Sequence, residues 1–379
     1  MLARKGVDVT LLEAHTDFDR DFRGDTLHPS VLEIMDELGL ADRLLTIPHT
    51  RLQQMAIDTP QGRVVFGDLR DLKTKFPFIA MMPQARFLEF VTGEAARYPN
   101  FRLIMGARVE GLLEEQGIVS GVIYRDKQGS HELRATLTVG ADGRFSKIRK
   151  LAGIEPVKQS PPIDVIWVRL PRKDGDPQET TARTRDGRAM VLVNRYDYWQ
   201  IGSVILKGSY QQLREAGLEA FRRSVAETLP EVADRVDYIQ EWKQVSLLSV
   251  EASRVAKWHR PGLLLIGDAA HTMSPVGGFG INMAIQDAVE AANVLTQPLL
   301  LKSVTPKHLA EVQRRREFPT KFIQRYQAAR QRRMLRQSAD LSKPFKLPLS
   351  VILILKVRFI RNLPLRLTAF GVRRVHVQA

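Results

Sequence analysis

Hydrophobic and polar positions change period several times along this chain, and the changes mark out two kinds of structure. Leu2 to Gly6 reads as the last turn of a helix with Gly6 at its C-terminal cap, and Val7 to Leu12 as a strand with Glu13 at its carboxyl end. Ser30 to Leu40 carries Val31, Leu32, Ile34, Met35 and Leu38 at helical spacing and stops at Gly39. Met55 to Phe66 reads as strands around the Pro60-Gln61-Gly62 turn, and Pro83 opens a helix with Phe87, Leu88 and Val91 on one face. Val119 to Tyr124 and Glu132 to Val139 alternate around Lys127-Gln128-Gly129, which predicts a hairpin.

After Gly153 the texture shifts. Pro156, Pro161, Pro162, Pro171 and Pro177 punctuate a linker and a strand near Asp164 to Leu170. Strand-like runs fill Ala189 to Leu206, Leu213 to Leu229 is helical, and Trp242 to Val250 is strand-like again. This block predicts an antiparallel sheet with a helix, inserted at 157–253 into an α/β domain made of 1–156 and 254–300. A basic helical region follows at 301–379.

The α/β pattern resumes in Gly262 to Leu295, the richest stretch of the chain. Leu263 to Ile266 reads as a buried strand ended by Gly267-Asp268; a loop with Pro275, Gly277, Gly278 and Gly280 then leads into a helix from Ile281. In α/β sheets, ligands sit beyond the carboxyl end of a strand and against a helix N-terminus. Asp268 suits a sugar-like hydroxyl, because a carboxylate only accepts hydrogen bonds, and glycines let backbone approach a flat ring. The segment predicts a site for a large anionic cofactor. Leu137 to Gly153 repeats the logic: a strand ends in Gly140-Ala141-Asp142-Gly143, and Ser146 is placed to cap the helix that carries Arg149. Glu13 has the position of an acid that binds a ribose at the end of the second strand of a dinucleotide fold. Such an acid lies about 20 residues after a GxGxxG turn, so the first strand and its phosphate cradle fall before residue 1.

Composition narrows the functional classes. Of 379 residues, 44% are hydrophobic and 26% charged, which is ordinary globular material. With no cysteine, disulfide and thiolate chemistry are excluded; with no metal-ligand spacing among the eight histidines, no metal is expected. A cytoplasmic protein is the expectation, since Met1 leads straight to Arg4-Lys5 and no apolar run approaches the roughly 18 residues a spanning helix needs. The net charge of +15 is local: 19 of the 57 basic residues and 3 of the 42 acidic ones lie from Leu301 onward. No aromatic interleaving or reader motif accompanies that charge, so nucleic acid is not an expected partner. A helix packing its apolar side on the body accounts for the tail; peripheral contact with an anionic membrane is the alternative.

Taken together, Leu11-Leu12-Glu13, GADGRFSKIRKLAG and GDAAHTMSPVGGFGINMAIQDA resemble the flavoprotein monooxygenases of the para-hydroxybenzoate hydroxylase type, over about residues 1–300. The resemblance implies a Rossmann-like FAD/NAD(P)-binding domain, here lacking its first strand and GxGxxG, with the inserted sheet as substrate domain. It implies Glu13 on the adenosine ribose, Arg23-Gly24 near the flavin, Gln84 on the cofactor, and Asp142-Gly143 on the cofactor and in pyridine-nucleotide use. Asp268 would bind the ribityl chain, with Pro275 and Gly278, Gly280, Ile281 and Asn282 along the isoalloxazine. His271 would be loop scaffold rather than a chemical group. Arg195, Tyr198 and Trp199 are candidates for the substrate pocket wall.

The implied reaction is hydroxylation or epoxidation of an aromatic or polyketide-like molecule, with FAD as cofactor, NADPH or NADH as electron donor, and O₂ activated as a flavin hydroperoxide. The flavin performs the oxygen transfer while protein binds, orients and excludes water; side chains near the substrate would polarise or deprotonate it, and the spacing singles out no catalytic residue. A flavin halogenase is disfavoured, because the WxWxIP pattern is missing. A reductase of unsaturated lipids on the same scaffold is the enzymatic rival. The other reading is an inactive relic that binds FAD poorly, because the strand missing before Val7 would normally be buried on both faces.

Overall fold

A computed structural model of the chain describes residues 1–19, 26–60, 62–338 and 358–378. Helices α1 (Pro29–Glu37), α2 (Ala41–Leu44), α3 (Gln84–Ala95), α4 (Lys147–Leu151), α5 (Tyr210–Glu215), α6 (Leu218–Thr228), α7 (Phe279–Leu300), α8 (Pro306–Ser338) and α9 (Arg358–Phe370) surround several small sheets and one large one. The fold is mixed α/β, as the alternating periods predict.

Two parallel pairs carry the predicted ligand-binding acids at or just beyond their carboxyl ends. Val9–Glu13 pairs with Phe101–Met105, and Thr138–Gly140 pairs with Leu263–Leu265. Leu263, Leu264 and Leu265 are fully buried among Val119, Ile148, Ala291, Leu295, Leu309 and Val312, the environment that a continuous apolar run demands. Among the described residues, Val9–Glu13 has a ladder partner on one side only, and so does Thr138–Gly140. Leu11 and Val139 on these two strands are about two-fifths exposed, at 40% and 39%.

The large sheet has seven strands in the order Ser246–Leu248, Ile163–Pro171, Tyr198–Leu206, Arg188–Asn194, Thr181–Arg185, Gln54–Thr59, Gly62–Asp68. Its first five come from the predicted insert, and the last two are contributed by the N-terminal segment. Alternation gives the sheet two apolar faces. Ile166, Val168, Leu170, Met190, Leu192, Trp199 and Ile201 pack against Phe221, Val225 and Leu229 at the back. Val191 and Val193 point the other way, into a cluster with Leu69, Leu72, Ile79 and Met81. The helix predicted over Leu213–Leu229 is two helices, because Gly217 adopts φ +91° between α5 and α6.

The basic C-terminal region is built into this body. Leu309 and Val312 of α8 belong to the core around Leu263–Leu265, and Leu365, Ala369 and Phe370 of α9 are buried beside Val193. No helix among the described residues is long and apolar enough to cross a membrane.

Candidate active site

Residues predicted to meet a ligand stand at the carboxyl ends of three strands. Glu13 closes Val9–Glu13 and accepts the His15 N–H at 2.9 Å. Asp142 follows Thr138–Gly140, and Asp268 follows Leu263–Leu265 within a short 3-10 turn, Gly267–Ala269. This is where open α/β sheets receive ligands.

Asp142 is tied to its own loop. One carboxylate oxygen accepts the Ser146 hydroxyl and the other accepts the Ile148 N–H at 2.9 Å, so the acid anchors the start of α4. Ser146 is the predicted cap: its Oγ accepts the Arg149 N–H at 2.9 Å. Gly143 has φ +78°, which the turn requires. Arg149 is buried and donates to the carbonyl of Ala269 at 2.9 Å and to that of Arg144 at 2.8 Å, joining the Asp142 turn to the Asp268 turn. Ser146→Ala should therefore cost about 1 kcal/mol, the usual value of an N-cap. A lowered thermal midpoint would show it; an unchanged midpoint would remove the cap from this account.

The glycine loop and α7 form the second half of the site. Pro275 O accepts the Gly278 N–H at 3.1 Å, and Gly277 and Gly278 both have positive φ, +85° and +65°. Helix α7 starts at Phe279, two residues earlier than predicted, with no side chain among the described residues capping it and no acid in its first turn. Its first-turn N–H groups and positive dipole end suit a ligand that carries negative charge. A Cβ on Gly280 would stand 4.0 Å from Asp268 Oδ1, so Asp268 lies beside that first turn. Asn282 is almost fully buried and locks the loop: its amide donates to Thr26 O and Gly278 O, each at 2.8 Å, and its Oδ1 accepts the His28 N–H at 2.8 Å. Ile281 packs towards α1. Gln84 is the first residue of α3, with Pro83 before it. Arg23 and Gly24 lie outside the described residues.

The three substrate candidates part company. Arg195 is buried and donates from Nε to Gln200 Oε1 at 2.7 Å, while the Arg169 guanidinium lies 5.2 Å from the Tyr198 ring. Trp199 is a correction. It is fully buried in the back cluster against α6, and its indole N–H donates to Asp176 at 2.8 Å. Adjacent residues of a strand face opposite ways, so Trp199 cannot share the face of Gln200 and serves as core.

Several residues that hold the site were missed by motif reasoning. Behind Asp268, the fully buried Asp287 of α7 accepts the Gly267 N–H at 3.0 Å, His271 Nε2 at 2.6 Å and Arg316 Nε at 2.7 Å. Burial opposes the charge of Asp287, but His271 and Arg316 outweigh it and hold the carboxyl below the ordinary range. His271 is buried and tied to Asp287 within the loop. Farther along α8, Gln324 donates to Ser253 O and Thr272 O, and Gln327 to Ser274 O and Val276 O, at 2.7–3.1 Å; Gln331 bonds the Ser274 hydroxyl. Arg316, Gln324, Gln327 and Gln331 share one helix face, so α8 clamps the loop's main chain from behind. The signal was a stripe of uncharged amides at spacings of three and four in an otherwise charged helix.

Comparison with known proteins agrees with this geometry. The family model described as an FAD binding domain matches residues 1–326. The chain is 35% identical over 341 residues to 6-methylpretetramide 4-monooxygenase of Streptomyces rimosus, covering 88% of this chain and 80% of that protein. It belongs to the FAD-dependent flavoprotein monooxygenases. The monooxygenase is also 26% identical to 3-demethoxyubiquinol 3-hydroxylase of Escherichia coli, over 78% of this chain and 75% of that one. Its fold matches p-nitrophenol 4-monooxygenase from Pseudomonas putida with a TM-score of 0.76 at 18% identity, covering 98% and 94% of the two chains. Neither a lipid reductase nor an inactive relic is favoured by these relatives. The site of the monooxygenase fits FAD on its own evidence: an uncapped helix terminus, two positive-φ glycines and Asp268 converge where a flat ring with a hydroxylated, anionic tail would need them.

Proposed function

We propose that the enzyme hydroxylates or epoxidises a flat aromatic or polyketide-derived molecule, taking electrons from NADH or NADPH. The observation that carries the substrate class is the 35% identity to an enzyme named for a polyketide-type substrate. An apolar cluster on the front of the large sheet, with Val191 and Val193 beside Leu69, Leu72, Ile79 and Met81, is in keeping with it. FAD, when bound, supplies the redox chemistry with O₂.

The protein's own part is binding and electrostatics. Glu13 and Asp268 accept hydrogen bonds from sugar-like hydroxyls, with Arg23, Gly24, Gln84, Asp142 and Gly143 completing the cofactor contacts. Pro275, Gly278, Gly280, Ile281 and Asn282 line the ring, and the positive end of α7 favours negative charge on it. Arg195 and Tyr198 orient the substrate from the turn and strand beyond Val193.

The test is NAD(P)H consumption by FAD-loaded protein with a polycyclic phenol, under ¹⁸O₂ and under nitrogen. One ¹⁸O atom per product molecule, with no product under nitrogen, is expected. Substrate-linked hydride transfer that continues without O₂ would overturn the proposal.

A further inference from the structure

A groove of about 400 Å³ runs between α8 and the loop that joins Pro156–Gln159 to Ile163–Pro171. Ser160, Pro161 and Pro162 line it on the loop side. Arg325, Ala328, Ala329 and Arg332 line it on the helix side, and at spacings of three, four and seven they share one helix face. Gln327 and Gln331, the amides that hold the glycine loop, also meet the groove, together with the buried Ser274. The volume is that of a small-molecule site and suits a nucleoside phosphate.

The charge of the groove has one sign. Among the described residues no carboxylate lines it, and Arg325 to Ser338 carries five arginines and no acid. Arg325 and Arg332 have no ion-pair partner among the described residues. Earlier on α8, by contrast, Arg314 and Arg315 pair with Glu311, and Arg316 with Asp287. Seven helical residues set Arg325 and Arg332 about 10 Å apart along the axis. Between them the helix offers the methyl groups of Ala328 and Ala329, opposite two prolines. An apolar slot with a cation towards each end matches a flat base whose ribose carries two separate anionic groups.

We propose that this groove holds the adenosine 2′-phosphate end of NADPH, with one of Arg325 and Arg332 on the 2′-phosphate and the other on the diphosphate. The inference rests on the nicotinamide-donor reading above and makes the donor NADPH rather than NADH. A guanidinium fork fits phosphate oxygens in pairs, which a solvated point charge does not. Ser274 directly precedes Pro275, so the nucleotide is held against the glycine loop. Neutralising a merely solvated charge run would weaken both nucleotides alike through the general field. A 2′-phosphate site separates them.

The experiment uses the full FAD-loaded chain with the polycyclic phenol present. Calorimetry gives the affinity for 2′,5′-ADP and for inorganic phosphate, and flavin reduction under nitrogen gives those for NADPH and NADH. Arg325→Gln and Arg332→Gln should each weaken 2′,5′-ADP binding about tenfold, the usual scale of a charge-assisted hydrogen bond. One of the two should lower the preference for NADPH over NADH by a similar factor, and the other should weaken both donors. Ala328→Phe should abolish 2′,5′-ADP binding with every charge intact. Arg330→Gln is the control: that guanidinium lies over the Tyr326 ring, 5.7 Å from its centre, and should behave as wild type. A wild type reduced by NADPH, with 2′,5′-ADP affinity unmoved in both glutamine variants, overturns the groove alone. Phosphate binding as tight as that of 2′,5′-ADP would leave a bare anion site and overturn the nucleotide assignment. A wild type reduced by neither nucleotide overturns the donor reading and the groove with it.

Discussion

Asp287→Ala should cost the protein about 3–5 kcal/mol, the usual penalty for leaving a buried charge without its partner. Arg316 and Asp287 are both fully buried, so the stranded guanidinium cannot turn to water. The same change removes the acceptor of the Gly267 N–H, one residue before Asp268, so FAD affinity should fall beyond what stability alone predicts. The double variant D287L/R316M separates the two effects. Exchanging a buried ion pair for apolar groups is often neutral or stabilising, so melting should recover in part in the double variant, short of wild type because His271 and the Gly267 N–H still lack their acceptor, while FAD affinity stays low. Thermal midpoints of the apoprotein and fluorescence titration with FAD read the two quantities. Wild-type melting and wild-type affinity in D287A would sink this account. The pH dependence has a definite sign. The carboxyl titrates lower folded than unfolded, so its contribution is complete above the ordinary aspartate value and fades as pH falls through the folded one. In Asp287→Asn the acid side of the stability profile should be flatter than in wild type.

Gly262→Ala should have an effect of the same order, for a wholly different reason. Gly262 has φ +73°, and a Cβ there would stand 1.9 Å from the carbonyl oxygen of Val119. That neighbour is backbone held in place, since Val119 N–H donates to Pro261 O and Thr138 N–H to Gly262 O, each at 2.9 Å. Three strands meet here, and the fully buried Leu263–Leu265 run begins at the next residue. A loss of about 3–5 kcal/mol is expected, at the severe end for one substitution, with poor soluble yield and fast proteolysis. Gly39→Ala is the control. Its φ is +71°, but nothing lies within 4 Å of the added carbon, so only the left-handed backbone penalty of about 1–2 kcal/mol applies. Equal melting of the two variants would show that the collision with Val119 does not matter.

The parts of the fold that were legible in the sequence are those where one local rule decides. The cap at Gly6, the buried Leu263–Leu265 strand, the Ser146 cap and the glycine loop before α7 each follow from a few neighbouring residues. What was not legible depends on partners far along the chain. Alternation in Met55–Phe66 predicts strands but not that they extend the sheet of the insert. It places Tyr198 and Trp199 on opposite faces without saying which face is the pocket, because that depends on register. Asp287 reads as one more polar position on α7, and Arg316 as one of three consecutive arginines. Only the packing of α8 on α7 turns the two into a buried pair.

The α8 clamp also has a consequence for the order of events during synthesis. The Ser274 hydroxyl meets Gln331, 57 residues later in the chain. At about 5–20 residues per second of translation, that loop leaves the site of synthesis roughly 3–11 s before its restraint exists. Glu37 waits still longer, since Val377 comes 340 residues after it. The nascent chain therefore cannot present a finished flavin loop early, and cofactor capture belongs among the last steps of its maturation.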